Sequence, residues 1–338
     1  MKKLTTLLVT LTLTIATFLT GCGGTGTNTD KNTYKIAIVK YVDDASLNQI
    51  EDAIEAQLKA KEKELGVTFD IKLYNGQADG AVLNQIAANV LAEEVDAVVP
   101  IATPTAVLMQ AATEDTDIPV IFSAVTDPED AKLVASNDAP GANVTGVSDA
   151  IDTEAIMNLI LLQNPDTKKI GLLYDKGQAS SLGSIEDAKA FCKEKGIEVV
   201  EKTGTNANEI QTAADVMAAE KVDAVFTPQD NTVMQAELAI YEKFTDAKIP
   251  HYTGADSFAL NGAFLGYGVN YENLGALTAD MVIDIVVKGQ EPATTAVRTL
   301  EGGIIMVNTE TADKLDIDYS IFKEHCEELK ETVTKKEF

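Results

Sequence analysis

Residues 93–109 read EEVDAVVPIATPTAVLM, and residues 220–234 read EKVDAVFTPQDNTVM. In each, Val-Asp-Ala-Val opens an apolar run of strand length, polar residues follow at once, and a helical pattern begins. Further on, Ile-Pro starts the next strand in both places, as IPVIFSAVTD (118–127) and IPHYTGADS (249–257). A unit that occurs twice points to two similar α/β halves, because two copies are too few for a solenoid.

Outward from this pair the chain keeps alternating. YKIAIVKY (34–41) is an apolar run, and residues 46–65 carry Leu47, Ile50, Ile54 and Leu58 at helical spacing with charge on the other face. VTFDIKLYNG (67–76) reads as a strand ending in Asn-Gly, and 80–94 and 104–114 read as helices. After Asp149 a helix at 152–163 leads to the strand KIGLLYD (169–175), then to a helix around Leu182, Ile185 and Phe191. IEVVEKTG (197–204) and AFLGYGV (263–269) read as further strands, with helices near 207–220 and 231–246. A long helix ends at Gly289, EGGIIMVNTE (301–310) follows, and an acidic helix closes the chain. Short apolar strands separated by amphipathic helices predict βαβ units around parallel sheets.

At 338 residues the chain is long enough for one large or two medium domains. Its 53 acidic residues outnumber its 27 basic ones, for a formal net charge of −26. Such a surface repels nucleic-acid phosphates and anionic lipid headgroups, and nothing in the chain reads as a basic groove. Nucleic acid is therefore excluded as a partner.

The N-terminus has its own logic. MKK supplies positive charge, LTTLLVTLTLTIATF (4–18) an apolar stretch, and LTGC (19–22) a small-residue cleavage site. The apolar part is short and Thr-rich for a membrane span. LTGC resembles the lipobox of bacterial lipoproteins, which implies a signal over residues 1–21, cleavage before Cys22 and a lipid on its thiol. Loss of Lys2 and Lys3 would take the net charge to −28. Residues 22–33, rich in Gly, Thr and Asn, then read as a flexible tether. The other cysteines, Cys192 and Cys326, lie in helix-like patterns without CxxC or metal spacing. They read as two separate thiols, with one disulfide between them left open.

In open parallel sheets, ligands bind beyond the carboxyl ends of the strands, where helices begin. That rule selects a polar set. Thr103 and Pro104 follow the strand in the first repeat, Thr as a cap and Pro as the first helical residue. Gln229, Asp230, Asn231 and Thr232 stand at the matching place in the second. Ser123, Thr126 and Asp127 follow IPVIF, and a helix is expected to begin after Pro128. Ser148 and Asp149 end NVTGVSD (143–149), Asp175 follows KIGLLY, and Asp256 follows IPHYTGA. Each of these residues also serves as an ordinary cap in proteins of any function. Catalysis finds no motif: GVSDA lacks a nucleophile elbow, and no HExxH or Walker loop is present. His251, inside a strand-like run, reads as core or wall. No metal site and no cofactor is expected.

The motifs IATPTA, VIFSAVTDP, NVTGVSD, PQDNTV and GAFLGYGVNYENLG, followed by KGQEPA, occur in an order that resembles the ABC-transporter substrate-binding lipoproteins of the tryptophan/tyrosine-binding type. The resemblance runs from Cys22 to the last helix. It implies a type I periplasmic-binding-protein fold: two Rossmann-like lobes with parallel sheets, joined by three hinge crossings near 148–151, 270–273 and 298–303. One lobe would then comprise 34–149 with about 272–298, and the other 150–271 with about 299–338. It also implies a membrane permease as partner, no enzymatic activity, and an amino acid, aromatic or otherwise apolar, clasped between the lobes. On that pattern the helix start at Thr103, or Ser123, suits a carboxylate. Asp127, Asp149 or Asp230 suits an ammonium, and Tyr41, Tyr174 and Tyr271 supply wall. Thr126, Ser148, Asn231 and Asp256 complete the expected ligand-binding set. The chain departs from the family in KYVDDASL (40–47), where Asp44 and Ala45 replace a usual His-Pro. It departs again at Asn270, in place of a usual Asp before Tyr271, and in TGAD (253–256). A nucleoside or sugar receptor of the same fold, and a sensory or adhesive surface lipoprotein, stay open as alternatives.

Overall fold

A computed structural model of the chain describes residues 32–300 and 303–335. The expected export signal, Cys22 and nearly all of the expected tether lie outside those residues. The elements run β1 (Thr33–Lys40), α1 (Ala45–Leu65), β2 (Thr68–Asn75), α2 (Gly80–Ala92), β3 (Ala97–Ile101), α3 (Thr103–Thr113), β4 (Val120–Ser123) and β5 (Val144–Ser148). There follow α4 (Thr153–Gln163), β6 (Lys169–Tyr174), α5 (Ala179–Lys195), β7 (Glu198–Thr203), α6 (Ala207–Ala219), β8 (Ala224–Thr227), α7 (Asn231–Asp246), β9 (His251–Thr253), α8 (Asp256–Leu260) and β10 (Leu265–Gly268). The chain ends with α9 (Tyr271–Val286), β11 (Arg298–Thr299), β12 (Ile304–Asn308), α10 (Thr309–Leu315) and β13 (Glu328–Thr332).

The two-lobed α/β architecture expected from the sequence is the one observed. One sheet has the order β11-β5-β4-β3-β1-β2, the other β13-β12-β10-β9-β8-β6-β7. The first is parallel throughout; in the second, β12 runs antiparallel to β10. The central strands are buried on both faces, which is why they read as unbroken apolar runs. The chain passes from the first sheet to the second between β5 and α4, returns to pack α9 along α1, and leaves again between β11 and β12.

Local chemistry sets the helix ends. Asp44 caps α1 by accepting from the Ser46 and Leu47 amides, and Gly66, at φ 69°, ends it in the left-handed region. The stripe Ile50, Ile54 and Leu58 is fully buried. Truncating Ile54 to Ala would cost about 2–5 kcal/mol. One apolar cluster runs without a break from Leu47 and Tyr271 to Met234 and Phe258 in the other lobe. The lobes therefore meet over a packed floor.

Two local expectations fail. In place of one acidic C-terminal helix the chain forms the short α10, a stretch of 3-10 helix at Tyr319–His325 and then β13, which pairs in parallel with β12. At the edge of a sheet, exposed Glu and Lys cost little, so strand pairing overrides the helix propensity of the segment. No helix follows Pro128 either; residues 128–132 form turns. Cys192 is buried and Cys326 half-buried, and both are free thiols.

Candidate functional site

The carboxyl ends of both sheets face one interlobe cleft. The first lobe contributes Asp44, Ser46 and Leu47 from the start of α1. It also contributes Ala102 and Thr103 from the start of α3, together with Ala124, Thr126 and Asp149. The second contributes Ser180, Gln229, Asp230, Asn231 and Met234, with Ala255, Ser257 and Phe258 around α8. Tyr271 lies on the floor, at the head of α9. Among the described residues, no Lys, Arg or His lines the cleft.

Direct bonds cross between the lobes. The amide of Gln229 donates to the carbonyl oxygen of Asp149 at 2.7 Å and to its Oδ2 at 2.9 Å. The Thr126 hydroxyl donates to Gln229 Oε1 at 2.9 Å, and the Ser46 hydroxyl donates to Asp256 Oδ1 at 2.6 Å. Gln229 thus latches the second lobe onto the strand-end residues of the first.

The start of α3 is the most unusual local structure. Thr103 is not its cap, as the sequence suggested. Ala102 holds that position at φ 78°, ψ 150°, no side chain caps the helix, and Pro104 sits within the first turn. A non-glycine residue in that region costs about 1–3 kcal/mol, and such strain persists where the surrounding structure imposes it. The hydroxyls of Thr103 and Thr105 are buried without a hydrogen-bond partner. Uncapped amides and idle hydroxyls at a helix N-terminus form a seat for an anion.

The carboxylates differ in what they have left to offer. Asp230 Oδ1 accepts from the Thr232 and Val233 amides, and Oδ2 from the Asp175 amide and the Ser181 hydroxyl. Those four bonds fill its lone pairs. Asp149 has only Gln229 on one oxygen and a long 3.4 Å contact from Thr126 on the other. Asp44 spends one oxygen on its helix, while its Oδ2 is buried with no hydrogen bond. Burial pushes Asp44 and Asp230 up to about 6 and Asp149 up to about 7. Asp256 and the Tyr271 phenol are raised by burial too. Such a cleft lacks positive charge of its own and would be eased by a cation.

Of the residues selected from the sequence, Thr103, Thr126, Asp149, Asp230, Asn231 and Tyr271 line the cleft. The others lie beside it or turn away. Ser123 bonds Thr278 of α9 at 2.8 Å, Asp127 caps its own turn through the Glu129 and Asp130 amides, and Ser148 donates to the carbonyl of Thr126. The Tyr174 hydroxyl donates to Glu201, away from the lining. Tyr41 is half-buried next to Gln178, and Asp256 is held by Ser46. Sequence reasoning passed over Ser46, Ser180 and Ser257; it named the hub Gln229 among the strand-end residues but left it out of the expected ligand-binding set. Gln229 had a signal, standing directly before Asp230 at a strand end; Ser180 and Ser257 looked like ordinary first-turn residues. His251 is buried between Glu237 and Thr227, edge-on to Phe258, and does not itself line the cleft. Among the described residues, no group of His, Cys, Asp or Glu is arranged to hold a metal.

Comparison with known proteins follows the same outline. Residues 35–325 match the family described as ABC transporter substrate binding protein. A tyrosine-binding protein of Clostridioides difficile is 29% identical over 325 residues, covering 94% of this chain and 93% of that one. The crystal structure of an ABC domain in complex with L-Trp from Streptococcus pneumoniae is 30% identical with a TM-score of 0.81, over 88% of this chain and 99% of that one. The ligand-free, open structure of a substrate-binding protein with adhesive properties from Clostridium difficile is 28% identical, covering 89% of this chain and 100% of that one. Its TM-score is lower, 0.68. At nearly equal identity the chain superposes better on the tryptophan complex than on the open form, in keeping with its direct bonds between lobes.

Proposed function

The chain belongs to the ABC transporter substrate binding protein family, and on that premise we propose that it clasps a free aromatic amino acid between its lobes and passes it to a membrane permease. The family is one of binding proteins that work outside the cytoplasm. The aromatic preference draws support from the relatives, one a tyrosine-binding protein and one crystallised with L-Trp.

One observation carries the reading: the cleft sets an uncapped helix start against a buried carboxylate with acceptor capacity to spare. The α-carboxylate sits at the amides of α3, with the hydroxyl of Thr103. The α-ammonium sits at Asp149, whose burial it offsets. Gln229 holds Asp149 in place and couples its position to lobe closure. Leu47, Met234, Phe258 and Tyr271 enclose the apolar side chain. Opening and closing about the crossings then needs only a difference of a few kcal/mol between states, which the ligand tips.

A thermal-shift screen of amino acids, nucleosides and sugars tests this. An aromatic amino acid at a hundred times its dissociation constant stabilises the protein by about 2.7 kcal/mol. If no amino acid raises the midpoint, the reading fails. Anchoring through a lipid on Cys22 is part of the same proposal. Cys22→Ala releases the protein from the membrane fraction, and its retention there would refute the anchor.

A further inference from the structure

Asp44 stands apart from the groups assigned above. It lines the same cleft as Leu47, Phe258 and Tyr271, and it is distinct from the α3 start and Asp149, which take the two ends of the amino-acid backbone. Its two oxygens have different fates. Oδ1 accepts from the Ser46 amide at 3.0 Å and the Leu47 amide at 3.2 Å, which fixes the carboxylate on the end of α1. Oδ2 is left buried with no hydrogen bond of normal geometry; the Ser257 hydroxyl lies only near enough to ease the charge. The residue is 4% exposed, so water does not compensate it.

An acceptor stranded in this way costs about 1–3 kcal/mol, and more if charged. Neither end of the amino-acid backbone is free to answer it, since the helix start and Asp149 take those. We propose that Asp44 reads the far end of the ligand's side chain, accepting a hydrogen bond from a donor there and so selecting donor-bearing side chains over purely hydrocarbon ones. This rests on the amino-acid reading of the cleft and adds a criterion to it. A phenol or indole N–H satisfies Oδ2; a phenyl ring fills the same space and leaves it unpaired. Sites built to hydrogen-bond a substrate group reject the analogue lacking it far more strongly than apolar pockets distinguish sizes.

Substitution by Asn gives a specific reversal. Asn caps helices as well as Asp does, so its oxygen stays on the Ser46 and Leu47 amides. Its NH2 group then replaces Oδ2 and presents a donor to the ligand's donor. The test is calorimetric titration of the wild-type protein, Asp44→Asn and Asp44→Ser with L-tyrosine, L-tryptophan and L-phenylalanine, after thermal melts show that both variants, each with a capping side chain, are folded. Wild type binds tyrosine or tryptophan at least tenfold tighter than phenylalanine. Asp44→Asn reduces that ratio below about threefold or inverts it, with phenylalanine affinity little changed. Equal wild-type affinity for all three, or an unchanged ratio in both variants, overturns the role of Asp44 alone. Failure of all three to bind the wild type overturns the aromatic reading of the cleft together with it.

Discussion

The two halves repeat a strand and a helix but finish the junction in opposite ways. Where β8 meets α7, Asp230 caps the helix and also gathers the Asp175 amide and the Ser181 hydroxyl, so the junction is chemically complete. Where β3 meets α3, no side chain caps the helix, Ala102 is strained, and two threonine hydroxyls are idle. One junction holds its lobe together, and the other is finished by something from outside. A polar residue at a strand end therefore says little about binding until its hydrogen bonds are counted.

The largest effect expected from this contrast is structural. Asp230→Ala strands two helix amides, the Asp175 amide and the Ser181 hydroxyl in a buried site, and should cost about 3–5 kcal/mol in chemical denaturation. A near-normal midpoint would mean that Asp230 is not the structural node described.

A smaller effect separates the unfinished cleft from the rest of the protein by pH. Asp44, Asp149 and Asp230 have raised values in the folded state, so between about pH 4 and pH 7 the folded protein binds more protons than the unfolded chain. Stability of the free protein should thus fall as pH rises through that window. Thermal melts across the window check the sign. A bound ammonium should flatten the profile.

Asp149→Asn sharpens the comparison with Asp230. It removes the partner of the ammonium but keeps an acceptor for Gln229. Affinity for an amino acid should drop at least tenfold, about 1.4 kcal/mol, with no loss of stability. Calorimetry and a melt read both sides. A folded variant of unchanged affinity would remove Asp149 from the site.

The smallest effect is at Ala102. Glycine accepts φ 78° without penalty, so Ala102→Gly should raise stability by about 1 kcal/mol. A lowered midpoint would show that the methyl group, buried in the first-lobe core, contributes more than the strain costs.

Much of this was legible in the sequence. Period-3.6 stripes such as Leu47–Ile50–Ile54–Leu58 and buried runs such as AVVPI announce the alternation of helices and strands, and the repeated Val-Asp-Ala-Val announces two halves. The strand-end rule also found the cleft. It did not sort cap from ligand contact, because Ser, Thr and Asp do both jobs with the same chemistry. Asp127 and Asp230 satisfy neighbouring amides, and Asp149 does not, only because of where distant strands bring Gln229 and Thr126. Asp44 was visible as a departure from the family pattern, but its idle oxygen depends on burial beneath α8. The C-terminal strand was hidden because its Glu- and Lys-rich segment gets its conformation from β12.

The most direct measurement is a crystal structure of the protein with L-tyrosine or L-tryptophan. The account predicts the α-carboxylate at the first turn of α3, within hydrogen-bond distance of the Thr103 amide and hydroxyl, and the α-ammonium on Asp149. A ligand bound in the reverse orientation, or one that leaves the start of α3 unoccupied, would contradict it.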